Sequence, residues 1–69
     1  MNYNVGDKIK YILEEGEFKI IATKEVPYQH KVGEFRVEDG HDFIIVKCGT
    51  KQFESFIQVK VGNIEPLQQ

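Results

Sequence analysis

Apolar and polar residues alternate along most of this chain, and that period of two constrains the fold more than any other feature. Residues 8–13 read KIKYIL, with Ile9, Tyr11 and Leu13 on one side and Lys8, Lys10 and Ile12 on the other. Residues 17–26 read EFKIIATKEV, with Phe18, Ile20 and Ala22 opposed to Lys19, Ile21, Thr23 and Glu25. Residues 34–38 (EFRVE), 43–48 (FIIVKC) and 55–61 (SFIQVKV) complete the set. Successive side chains of a strand point to opposite faces, so each run reads as a strand with one face turned to a core. No segment carries the 3.6-residue apolar period of a helix. The longest run of helix-favouring residues, YILEEGEFK, is broken by Gly16 and keeps the strand period.

Turn signals separate these runs. Residues 14–17, EEGE, read as a turn because Gly16 tolerates positive φ. Pro27 ends the second strand or begins a loop, since it cannot donate to a ladder. Residues 28–33, YQHKVG, carry no clear pattern. Asp39-Gly40 is the strongest hairpin signal, the dipeptide favoured in type I′ turns, and should join 34–38 to 43–48. Gly49-Thr50-Lys51 reads as a further turn, and GNIEPLQQ as a short 3-10 turn and a brief final strand. Short strands with turns between them predict an all-β fold, a five-stranded, strongly bent antiparallel barrel forming one domain over residues 1–69.

Length and composition narrow the function classes. A chain of 69 residues supports one domain and little room for a deep, enclosed active site. The net charge of −2 and the single arginine, Arg36, disfavour duplex DNA binding, which rests on many cationic phosphate contacts. One cysteine, Cys48, excludes an intramolecular disulfide, whereas small secreted domains usually carry several. The opening MNYNVGDKIK lacks the apolar run of a signal peptide, and no segment approaches the roughly 18 apolar residues of a membrane-spanning helix. The expectation is a cytoplasmic protein with no membrane association.

The two faces of the predicted strands differ. One parity collects Ile9, Tyr11, Leu13, Phe18, Ile20, Ala22, Phe35, Val37, Ile44, Val46, Cys48, Ile57, Val59 and Val61, which reads as the core. The other collects lysines and Arg36, but also Ile12, Ile21, Phe43, Ile45 and Phe56. In FIIV (43–46) this parity sends Ile44 and Val46 inward, and Phe43 and Ile45 outward to meet Phe56. Two readings stand. Loops such as VPYQHKVG fold over these residues, or they form an outer apolar patch rimmed by lysines, the mark of a protein–protein or self-association site. On the second reading the binding residues are Phe43, Ile45, Phe56 and Ile21, with Lys10, Lys19, Lys47 and Lys60 orienting a protein partner or a second copy. Single-stranded nucleic acid, stacking on the same rings, is the alternative ligand.

Two stretches carry a family resemblance. Residues 5–21 (VGDKIKYILEEGEFKII) and 59–67 (VKVGNIEPL) resemble the opening and closing of Tudor-like members of the SH3-like barrel class. The matching positions are Gly6-Asp7, Glu15-Gly16, Phe18 and Asn63-Ile64-Glu65-Pro66. The resemblance implies a small barrel, of the kind also found among small bacterial modules. Tudor domains hold methylated lysine or arginine in an aromatic cage, and the resemblance puts Phe18 at one cage position. The family's aromatic-Gly-Asn turn falls on Cys48-Gly49-Thr50, which lacks the ring, and residues 24–42 are longer than the family pattern. Methyl-lysine binding is therefore not carried over.

Chemistry is sparse. Cys48 with His41 or His30 would be a thiol and a base, but Cys48 shares the core parity. Seven residues of extended chain separate His41 from Cys48, about 23 Å. EDGHD (38–42) holds ligand-type side chains that a hairpin tip would splay apart. The glycines form no phosphate-binding loop, and Glu14-Glu15 has nothing to desolvate it. The expectation is a non-enzymatic module with no catalytic residue, metal or cofactor.

Overall fold

The computed structural model describes residues 3–31, 33–49 and 56–67. Among these, 53% lie in strands. In chain order they are β1 (Lys8–Tyr11), β2 (Glu14–Thr23), β3 (Tyr28–His30), β4 (Gly33–Phe35), β5 (Phe43–Lys47), β6 (Ile57–Val59) and β7 (Ile64–Pro66). A 3-10 turn, Val61–Asn63, precedes β7. Five strands form one curled antiparallel sheet, a half-barrel, in the order β6-β5-β2-β1-β7. β3 and β4 pair only with each other. Among the described residues no helix is long and apolar enough to cross a membrane.

β2 is the spine, paired along one edge with β1 and along the other with β5. Two irregularities shape it. Near β1 the register jumps from Lys10↔Glu17 to Tyr11↔Glu14, leaving Glu15 and Gly16 as extra residues. Near β5 it moves from Ile20↔Ile45 to Ala22↔Ile44, leaving Ile21 as a bulge. A bulge bends its strand and increases local twist, which helps curl the sheet. It also changes which side chains share a face beyond it. Phe18 and Ile20 point into the half-barrel, whereas Ile21 and Ala22 both pack on its outer side.

This register overturns the predicted parity of β5. Directly opposed residues share a face. Ile45 opposes Ile20 on one side and Ile57 on the other, and Phe43 opposes Val59. Ile45 therefore sits inside with Ile9, Phe18, Ile20, Val59 and Ile64, and Phe43 packs against that cluster with Tyr3, Tyr11 and Ile57. Ile44 and Val46 point the other way and join Ile21 and Ala22. The four apolar residues in a row are explained by a strand buried on both faces, as such runs usually are.

The outer face is covered by the chain between β2 and β5. Tyr28, Phe35 and Val37 pack on Ile21, Ala22, Ile44 and Val46, with Phe56 joining from the residue before β6. Phe35 meets Phe56 edge-on at 4.9 Å between centroids, and Tyr28 meets Phe56 at 5.6 Å. Gln58 fixes the returning segment: its Nε2 donates to the Arg36 carbonyl (3.3 Å), and the Glu38 N–H donates to its Oε1 (3.0 Å). Loops folding over the second face is thus the reading that matches the packing.

Two predicted turns need correction. The turn expected at 14–17 lies at Ile12 and Leu13, and Gly16 serves the bulge instead, with φ 112°. Asp39-Gly40 does turn, with the His41 N–H donating to the Glu38 carbonyl (3.0 Å), but it joins no hairpin. Gly40 has φ 85° while Asp39 stays negative, as in a type II turn. The I′ geometry that matches paired strands is absent. β4 has already found its partner in β3. The turn expected at 49–51 and the start expected at Ser55 lie partly outside the described residues.

Asp42 ties the start of β5 to the far end of the sheet. Its N–H donates to the Val59 carbonyl (2.8 Å), and its Oδ2 accepts from the Val61 N–H (2.8 Å) at the head of the 3-10 turn. Replacing the carboxylate leaves that donor without a side-chain partner. Asp42→Ala should lower unfolding free energy by about 1 kcal/mol, as loss of a cap does, measured by urea denaturation. Ile45→Val tests the corrected parity by the same measurement. A buried site costs about 0.5–1.5 kcal/mol, whereas an outward Ile45 would give a change within about 0.5 kcal/mol.

Candidate interaction surface

The residues predicted to form one outer patch do not meet. Ile45 is fully buried and Ile21 is 4% exposed. Phe43 is half-buried on the inner side, edge-on to Tyr3 at 5.7 Å. Phe56 is half-buried on the opposite side of the sheet, among Tyr28 and Phe35. The flanking lysines are also dispersed. Lys10 stands in β1 between Glu17 of β2 and Glu65 of β7. Lys47 reaches Glu14, Nζ to Oε2 at 3.3 Å. Lys19 is half-buried opposite Lys8 and Val46, and Lys60 is exposed before the 3-10 turn. Phe18, placed at a cage position by the Tudor resemblance, has no exposed surface and packs edge-on against Tyr11 at 5.6 Å.

A different surface emerges at the β1–β2 turn. Tyr11 and Glu14 pair, so Ile12 and Leu13 alone make the turn. Two-residue hairpin turns favour Asn, Asp and Gly, because the twist-matched types need positive φ. Here no described non-glycine residue has positive φ. The strands are reconciled instead by the bulge at Glu15 and Gly16, with the Lys47 side chain lying over it. A Cβ on Gly16 would come within 3.0 Å of Lys47 Cε. The outcome is an aliphatic pair held at the tip, with Ile12 52% and Leu13 70% exposed. The Ile12 N–H donates to the Asn63 carbonyl (3.0 Å), which anchors the tip to the 3-10 turn.

An open groove runs beside this tip, lined by Lys10, Tyr11, Glu14, Glu15, Gly16 and Glu65 together with the two aliphatic residues. Its charge is negative. Glu14, Glu15, Glu17 and Glu65 are four carboxylates around two ammonium groups, Lys10 and Lys47. Sequence reasoning missed Leu13 because its parity matches Ile9 and Tyr11, and the turn was drawn to Gly16. The legible signal was the clash between two aliphatic residues and the acidic stretch that follows them.

Elsewhere Thr23 and Asp7 have structural roles. Thr23 Oγ1 accepts from the Val26 N–H (3.1 Å) in the turn that leaves β2. Asp7 Oδ2 accepts from the Asn4 N–H (2.9 Å), while the Gly6 N–H donates to the Ile20 carbonyl (2.8 Å), which seats Gly6-Asp7 against β2. Among the described residues no group of His, Cys, Asp and Glu could hold a metal ion. No protein-family model, curated protein or solved structure matches this chain.

Altering the tip should leave the fold intact, and altering its support should not. Leu13→Ser should change unfolding free energy by no more than about 0.5 kcal/mol, as expected of an exposed site. Gly16→Ala combines an unfavourable φ with contact against Lys47 and should cost about 1–3 kcal/mol. Parallel urea titrations of the two variants check the contrast.

Proposed function

We propose that the chain is a non-enzymatic interaction module of the SH3-like barrel class that binds a protein partner through the Ile12–Leu13 tip and its groove. The class assignment is supported by the curled five-stranded antiparallel sheet, the 3-10 turn before the last strand, and the matching Gly6-Asp7 and Asn63-Ile64-Glu65-Pro66 stretches. A cytoplasmic setting belongs to the same reading and draws on the single thiol, Cys48.

The observation that carries the binding role is the exposed aliphatic pair in a turn. Every other requirement of this turn favours small or polar residues, and Leu13 packs on little of its own domain. Places where a sequence departs from its local rules without a packing gain are where function is expected. Apolar residues held proud of a rigid scaffold are also the usual core of a protein-binding site. The acidic surround disfavours single-stranded nucleic acid at this place, because phosphates would be repelled.

Retention experiments with immobilised wild-type protein, Leu13→Asp and Val26→Asp test the role. Val26 is 50% exposed in the turn after β2 and serves as a control for an added surface charge. Proteins from the native cell should be held by wild type and Val26→Asp and lost from Leu13→Asp. Equal retention on all three would remove the tip from any binding role.

A further inference from the structure

Resting on that reading, we infer that the occupant of the groove is an extended peptide segment of another protein, with an apolar side chain flanked by lysine or arginine. The apolar residue sits against Ile12 and Leu13, and the cations face Glu15 and Glu65. Three features of the surface select this occupant.

The first is charge. Glu14 has Lys47 within 3.3 Å, and Lys10 lies between Glu17 and Glu65 across the strands. Counting these groups, the four carboxylates exceed the two ammoniums by two. An anionic partner would meet repulsion, and a cationic one attraction that also speeds encounter. The second is size. Eight of the described residues line tip and groove, well below the roughly 20–30 per side of a standard interface between folded proteins. The third concerns a second copy. A two-fold dimer through this surface would set the same acidic groove against itself, because isologous contacts bring identical patches together. Like charges then oppose the small apolar gain.

Backbone geometry also favours an extended segment packing over the groove rather than adding a strand. β7 is the sheet edge next to the groove. The Ile12 N–H bonds to the Asn63 carbonyl, and ladder bonds alternate, so Lys10 and Glu65 form the next bonded pair. Pro66, one residue on, then turns its backbone outward and has no N–H to offer. The edge is blunted, so recognition falls to side chains.

The test uses three fluorescein-labelled octapeptides with a central Leu-Ile pair, flanked by lysines, serines or glutamates, titrated by fluorescence anisotropy against the full chain. The lysine-flanked peptide should bind at least about tenfold more tightly than the serine-flanked one, a difference of about 1.4 kcal/mol. The glutamate-flanked peptide should not bind. Raising the salt from 0.05 to 0.5 M should weaken the lysine-flanked complex several-fold, because the contacts are exposed. Glu15→Lys should erase the preference for lysine flanks, and Leu13→Asp should remove binding of the serine-flanked peptide. Absence of binding by the lysine-flanked peptide overturns the inference. So does equal binding of all three, or a preference that survives Glu15→Lys. If Leu13→Asp abolishes binding while Glu15→Lys leaves it unchanged, the tip remains a protein-binding surface and only the basic character of the ligand is lost. Dimerisation of the free chain by light scattering, abolished by Leu13→Asp, would instead identify the occupant as a second copy.

Discussion

The pairing of Ile20 with Ile45, followed by the bulge at Ile21, is the constraint on which the rest of the molecule depends. Before the bulge, β2 sends Phe18 and Ile20 inward; beyond it, Ile21 and Ala22 both face out. One ten-residue strand therefore serves two cores. A 69-residue chain has little volume for a single deep interior. Burying both faces of its central strands recovers apolar burial that one closed barrel of this length would forgo. The requirement that follows is a cover for the second face, and the chain between β2 and β5 is that cover.

Apolar contacts of that cover come from Tyr28, Phe35 and Val37, and Gln58 gives it a polar attachment to the sheet. The amide of Gln58 acts as a surrogate strand, accepting from the Glu38 N–H and donating to the Arg36 carbonyl, so that an irregular segment keeps satisfied backbone groups. Asp42 then returns the chain to β5 and caps the 3-10 turn in the same step. The two side chains couple residues 36–42 to β6 and the approach to β7. Loss of order in the cover is thereby linked to the closing strand, and the two faces are expected to open together rather than singly.

Much of this architecture is written in the sequence, and the unreadable parts share one cause. The period of two places β1, β2, β5 and β6, because alternation is a local property of an extended chain. Bulges are not local in that sense. Ile21 carries no compositional mark of a bulge, and whether it is one depends on how β5 aligns against β2. A one-residue offset exchanges the faces, which is why Phe43 and Ile45 read as outward when they are inward. The same offset dissolved the predicted patch, whose members fall on opposite sides of the sheet. Gly16 misled for a related reason: positive φ serves a bulge as well as a turn. The pairing of Tyr28–His30 with Gly33–Phe35 had no alternation long enough to detect. Leu13, the residue most exposed among the large apolar ones described, was hidden by sharing the parity of buried neighbours.

In the role proposed for it, the tip depends on rigidity as much as on chemistry. An aliphatic pair in a mobile loop would lose conformational freedom on every encounter, and that cost subtracts from affinity. Here Ile12 is bonded through its N–H to Asn63, Tyr11 is packed edge-on against the buried Phe18, and Gly16 lies beneath the Lys47 stem. These contacts restrain the turn from three different elements, the 3-10 turn, β2 and β5. The ion pair of Lys47 with Glu14 has the same effect and a second one. It neutralises the carboxylate nearest the tip and leaves Glu15 and Glu65, with Lys10 opposite Glu65, as the charges lining the groove. A surface pair of this kind contributes little stability, so its value lies in shaping the field around Leu13. On this view the bulge at Glu15 and Gly16 is what allows two residues unsuited to a turn to occupy one, and the sheet behind it holds them ready.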